Sequence, residues 1–190
     1  MNKVIPDAYY INIIRDGRDA AASTLKRWKA PLDIKYIFKK ARYVPVKDMP
    51  YYAVRYLNNR IYKIFSKDNK LSTWGPRFKG IDEMLETHSL ISVCAEQWRQ
   101  CVMHSEYGLN KIDNNRVFRL KYENFVQHPI DDLKAVLDFL NVDYDMEMLK
   151  KAVSRVSSKS VGNYKRNLTD EEIKEVEEIQ REYLQKYKYI

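Results

Sequence analysis

The residues of this chain best suited to chemistry lie in the stretch Ile13-Ile14-Arg15-Asp16-Gly17-Arg18-Asp19-Ala20-Ala21-Ala22-Ser23. Tyr9 to Ile14 is short, aromatic and β-branched, and it stops at charged residues, so it reads as a buried strand. The chain then turns through Gly17, and Asp19 marks the start of a helix over 20–28. In α/β sheets, ligands gather beyond the carboxyl ends of strands. A helix start adds free N–H groups and the positive end of a dipole, which suit an anion. Arg15 at the strand end can present a forked pair of donors to a phosphate. Ser23, one to two turns into the helix, is placed to donate a hydroxyl to the same group, and Ala20 to Ala22 keep the approach narrow.

The rest of the chain must position that segment. A second strand is expected over Arg116 to Lys121, where polar and apolar residues alternate. Helices are expected over 47–66, 81–86, 89–111, 129–140 and 145–156. Thr169 followed by Glu172 is a capping box that opens a last helix to about Tyr187. Residues 30–46 and 67–80 read as irregular, and 157–167 as a polar, basic loop. Strand, helices, strand is the order of parallel neighbours joined by helical crossovers. The expected fold is therefore α/β and mostly helical, one domain over 1–190, with two short parallel strands at about 9–14 and 116–121.

Composition narrows the partners. Lys and Arg total 34 against 26 Asp and Glu, giving a formal charge of +8 and favouring anionic partners. The cations are scattered and form no block long enough for a nucleic-acid tail, so nucleic acid is not expected. No apolar run approaches the roughly 20 residues of a membrane span. Cys94 and Cys101 fall seven residues apart in one expected helix, roughly 10 Å along its axis, too far for a disulfide. Two buried free thiols are expected, and Trp98 between them reads as core. His88, His104 and His128 stand apart from each other and from the cysteines, so no metal is expected.

Arg15 followed by Ser23 eight residues later resembles the 3′-phosphate motif of the sulfotransferases that use 3′-phosphoadenosine 5′-phosphosulfate. Arg18 and Asp19 look like the charged pair of that motif, with a structural role. Three further segments, in the same order as in the family, carry the resemblance to nearly the whole chain. Trp74-Gly75-Pro76-Arg77-Phe78 with Gln97-Trp98 is similar to one branch of the family. Leu120-Lys121-Tyr122-Glu123-Asn124-Phe125, with Pro129 and Phe139-Leu140, is similar to its strand, Tyr, Glu and helix unit. Ser160 to Thr169 is similar to the late loop that closes over the nucleotide. By this resemblance Arg15 and Ser23 bind the 3′-phosphate, and Tyr122 either lies near the adenine or packs in the core. Lys159, Lys165 and Arg166 are the basic candidates of the late loop, and Glu123 orders the turn.

The resemblance implies a P-loop-NTPase-like sulfotransferase domain. Its reaction moves a sulfuryl group from that donor to a hydroxyl or amine of a small-molecule, carbohydrate or protein acceptor, without a metal. The family also carries an upstream strand and a loop of Gly, Lys and Ser or Thr that cradles the 5′-phosphosulfate. Met1 to Tyr9 is too short to hold them, so a missing N-terminal segment or a partner chain is expected to supply them. No catalytic residue is assigned. The alternative is a fragment or degenerate relative that binds 3′-phosphoadenosine nucleotides without turnover. A kinase relative would show a Walker loop, which the sequence lacks. The cytoplasm is the expected compartment for this chain, or the Golgi lumen if an upstream anchor is missing.

Overall fold

The structure, a computed structural model, describes residues 5–30 and 74–190, with positions 43, 45, 47, 49–51 and 54 between them. The expected helix over 47–66 and the irregular stretch 30–46 lie almost wholly outside the described residues, as does the first part of the loop over 67–80. The fold is mixed α/β and mostly helical, with two short parallel strands in one sheet. Strand β1 is Tyr10–Ile14 and strand β2 is Val117–Lys121. Their register sets Tyr10 against Val117 and Ile14 against Lys121.

Helix α1 (Gly17–Trp28) follows β1. It starts three residues earlier than Asp19 predicts. Asp16 is the N-cap, its side chain accepting from the Arg18 backbone N–H, and Asp19 falls in the first turn, 1% exposed. Both aspartates satisfy the local rule for a helix start, and burial of Asp19 against the late loop decides between them.

Helices α2 (Ile81–Thr87) and α3 (Leu90–Leu109) precede β2. Ser89 caps α3, its hydroxyl accepting from the Ser92 N–H. Beyond β2 come α4 (Tyr122–Gln127), α5 (Pro129–Phe139), α6 (Met146–Val153), the one-turn α7 (Tyr164–Asn167) and α8 (Asp170–Lys186). The Thr169–Glu172 capping box forms, each partner satisfying the other's backbone. No helix among the described residues is long and apolar enough to cross a membrane.

The main core lies where α1, α3 and α8 meet. Ala21, Leu25 and Trp28 of α1 pack with Ile91 and Cys94 of α3 and Val176 of α8. A second cluster, Ile14, Val102 and Tyr183, with Trp98 against it, fixes the inner face of β1. Trp98 meets Tyr183 edge-on at 6.5 Å between ring centroids. The other face of β1 is open, with Ile11 and Ile13 exposed.

Two buried glutamines tie the helices together. Gln97 accepts from the Trp28 indole N–H at 3.3 Å and donates to the carbonyls of Trp74 and Pro76 at 2.7 and 2.9 Å. Gln180, fully buried, donates to the carbonyls of Gly17 and Ala95. Cys94 is buried as expected, but Cys101 is exposed, and both are free. The two lie on nearly one face, because seven residues make almost two turns. Cys94 belongs to the core cluster with α1, while Cys101 borders open clefts beyond that cover.

Gly17 is required by this packing. A Cβ there would collide with the Gln180 side chain and come within 2.9 Å of the Trp98 ring. Overpacking of a tight interior costs roughly 1–3 kcal/mol. Gly17→Ala should therefore lower the melting temperature by several degrees without changing the helical signature, as circular dichroism would show.

Candidate functional site

Parallel pairing brings the ends of β1 and β2 side by side, and the same register carried one residue further sets Arg15 beside Tyr122. The Arg15 guanidinium stands over the Tyr122 ring, 4.8 Å from its centroid. The Tyr122 hydroxyl is 2.9 Å from the Ser160 hydroxyl, and Arg15 Nη2 donates to the Ser160 carbonyl at 3.0 Å. Arg15 Nε is buried and has no acceptor among the described residues. Arg15, Tyr122 and the late loop thus converge from three separate stretches of sequence.

Asp19 holds the late loop in place. Its carboxylate accepts from the backbone N–H groups of Gly162 at 2.7 Å and Tyr164 at 2.8 Å, and Arg15 Nη2 lies 3.8 Å from it. Arg18 turns the other way. It bonds the Asp16 carboxylate, Glu177 at 2.7 Å and the Tyr189 carbonyl, and it stacks on the Tyr164 ring at 4.5 Å. Burial works against its charge, but the hydrogen bonds to Asp16 and Glu177 prevail and hold the guanidinium above its ordinary range. Arg18 and Asp19 are therefore structural residues with separate partners.

Glu123 orders the turn on the opposite side. It accepts from the Asp16 backbone N–H at 2.9 Å and from the Tyr189 hydroxyl at 2.7 Å. Lys121 lies over the Tyr189 ring at 4.7 Å and donates to the Tyr187 carbonyl. The C-terminal residues thus strap the ends of both strands, a feature with no local signal in the sequence. The same contacts alter the expected anion site. The Arg18 N–H at the start of α1 is taken by Asp16, and the Asp16 N–H by Glu123. Two of the N–H groups at this helix start are therefore answered by the protein's own carboxylates.

The remaining predicted residues are spread along the loop. Ser160 meets Arg15, Gly162 and Tyr164 meet Asp19, and Asn167 shares a cleft of about 700 Å³ with Ser23 and Lys26. Arg15 instead lines a cleft of about 310 Å³ with Asn12, Trp98, Cys101 and Ser105. Ser23 and Arg15 therefore open on different cavities among those described. Lys159, Lys165 and Arg166 are exposed on the outer side of the loop. Arg166 bonds the Asn163 side chain and reaches the Lys159 carbonyl at 3.5 Å, and Lys165 lies 5.9 Å from the Tyr164 ring centroid. No group of His, Cys, Asp or Glu among the described residues could hold a metal ion.

Asp19→Ala leaves two N–H groups without their acceptor and removes a buried charge. Such losses cost roughly 3–5 kcal/mol. Urea denaturation should show most of that loss, and Asp19→Asn, which keeps one acceptor oxygen, should show less. A second prediction concerns alkaline pH. Burial raises the Cys94 thiol to about 12, and burial, followed by bonds to Glu106 and Glu123, raises the Tyr187 and Tyr189 hydroxyls. All three are held protonated in the fold beyond their ordinary values of 9.0 for Cys and 10.0 for Tyr. Their contribution is complete below those values and is lost as pH rises through the folded ones. Stability should therefore fall from about pH 9 upward, as urea midpoints taken across the range would show.

Family models, curated proteins and solved structures were each compared with this chain, and none matches.

Proposed function

We propose that this chain binds a 3′-phosphorylated adenosine nucleotide at the carboxyl ends of β1 and β2, as part of a sulfotransferase. The observation that carries the proposal is the Arg15 guanidinium, which stacks on Tyr122 and keeps a buried Nε with no acceptor. An unpaired buried donor is costly, and a phosphate oxygen would satisfy it once the side chain turned Nε toward the ligand. Tyr122 offers a ring beside the same point for a base to stack on. Ser23 lines a different described cleft from Arg15, so its part in holding the phosphate is a separate claim from that of Arg15.

The bound donor supplies the sulfuryl group and a good leaving group. The sulfur–oxygen bond to the 5′-phosphate breaks as a bond forms to an acceptor hydroxyl or amine, and the acceptor proton passes to a base. In this chain Arg15 binds and orients, Asp19 holds the late loop, and Glu123 fixes the turn that carries Arg15. A second reading, binding without turnover, is favoured by the carboxylates of Asp16 and Glu123 at the start of α1, which occupy two of its backbone donors and bring negative charge beside it.

Calorimetric titration with 3′-phosphoadenosine 5′-phosphate and with 5′-AMP tests the proposal. The 3′-phosphate should raise affinity by about one to two orders of magnitude, as a charge-assisted contact of roughly 1.5–3 kcal/mol requires. Arg15→Ala should abolish that preference. Equal affinity for both nucleotides, or none for either, would overturn the proposal. Ser23→Ala, measured alongside, decides the separate claim for the hydroxyl.

A further inference from the structure

Residues 74–80 are bound to α3 through one buried side chain. Gln97, 2% exposed, donates to the carbonyls of both Trp74 and Pro76. Gly75 sits at φ +73, and a Cβ there would stand 3.0 Å from Gln97 Nε2, so the close approach requires glycine. This fixed segment forms one wall of a cleft of about 420 Å³ whose other wall is α3.

The chemistry of the cleft is one-sided. Arg77, Lys79 and His104 bring cationic or donor groups, the Gln100 amide donates to Glu96 at 2.7 Å, and Pro76 and Phe78 bring apolar surface. No carboxylate is among the described residues that line it. Arg77 is paired with Asp82 at 2.5 Å, while Lys79 makes no ion pair among the described residues. Clefts lined by one sign of charge concentrate the opposite sign. Cys101 lines this cleft and also the one that contains Arg15, so the two adjoin at its thiol.

We propose that this cleft is an acceptor site for a small hydroxy acid with a ring. Its carboxylate or sulfate lies by Lys79, Arg77 and His104. Its ring lies on Pro76 and Phe78, and its hydroxyl points past Cys101 toward the Arg15 cleft. The role as acceptor site rests on the function proposed above, whereas binding of the acid itself does not.

Cys101 provides the test. It is exposed while Cys94 is buried, so a small neutral alkylating reagent should mark Cys101 first, with Cys101→Ser as the control on assignment. Iodoacetamide labelling of the full chain, followed by intact mass, would be run without nucleotide. 4-Hydroxyphenylacetate and its neutral amide are the two probes. At four times its dissociation constant, mass action predicts that the acid slows alkylation about fivefold. The amide should protect much less, and Lys79→Gln, a surface change, should erase the difference. Equal protection by both probes, no protection at millimolar concentration, or full protection in Lys79→Gln would each overturn the proposal. Because no nucleotide is present, failure here leaves the calorimetric result with 3′-phosphoadenosine 5′-phosphate to stand or fall separately.

Discussion

A carboxylate that is 1% exposed needs partners for its charge. Asp19 finds them in two backbone N–H groups on a loop 143 and 145 residues away, and in the Arg15 guanidinium one turn back. That arrangement settles several things together. It places the 160–164 turn against α1, and so brings the Ser160 carbonyl to Arg15. It seats the Tyr164 ring in the core and under the Arg18 guanidinium. It also carries the chain to Thr169, where α8 begins and closes the core at Val176. Without this carboxylate the candidate site would lose the loop that forms one side of it.

Around this bond the first turn of α1 is crowded with the protein's own charges. Asp16, Glu123 and Glu177 all meet Arg18 or the backbone beside it. A helix N-terminus attracts anions, and here the attraction is spent on side chains. The gain is a rigid junction between β1 and α1, strapped on its far side by Tyr189. Two backbone donors are engaged in this way, while the Arg15 fork of donors is only partly engaged. One side chain then dominates recognition, and its substitution is informative in a way that loss of a single backbone donor is not.

Much of this was legible in the sequence, because it depends on local pattern. The strands, their parallel order, α3 and the Thr169 capping box follow from periodicity and capping chemistry. The meeting of Arg15 with Tyr122 follows from parallel pairing once the register is known. What was not legible depends on contacts across the chain. Asp16 and Asp19 look alike as helix starts, and only the distant loop separates them. Nothing near Gln97 or Gln180 announces that each will bridge backbone segments far from it in sequence. Cys101 shares a helical face with Cys94, yet it is exposed and lines two clefts, while Cys94 packs in the core with α1.

Ser23 and Arg15 line different clefts among those described, Ser23 with Asn167 and Arg15 with Asn12 and Trp98. Eight residues from strand end to helix place both side chains toward the same late loop, as the resemblance implies. The loop meets each of them at a different point, Ser160 bonding Arg15 and Asn167 sharing a cleft with Ser23. Spacing along a helix fixes direction, while the neighbouring chain fixes access. An anion at Arg15 competes with the Ser160 carbonyl for Nη2, and it reaches the buried Nε only if the side chain turns. The Arg15 guanidinium already meets both the Tyr122 ring and the Ser160 carbonyl, so the Arg15–Tyr122 pair is the centre of the site.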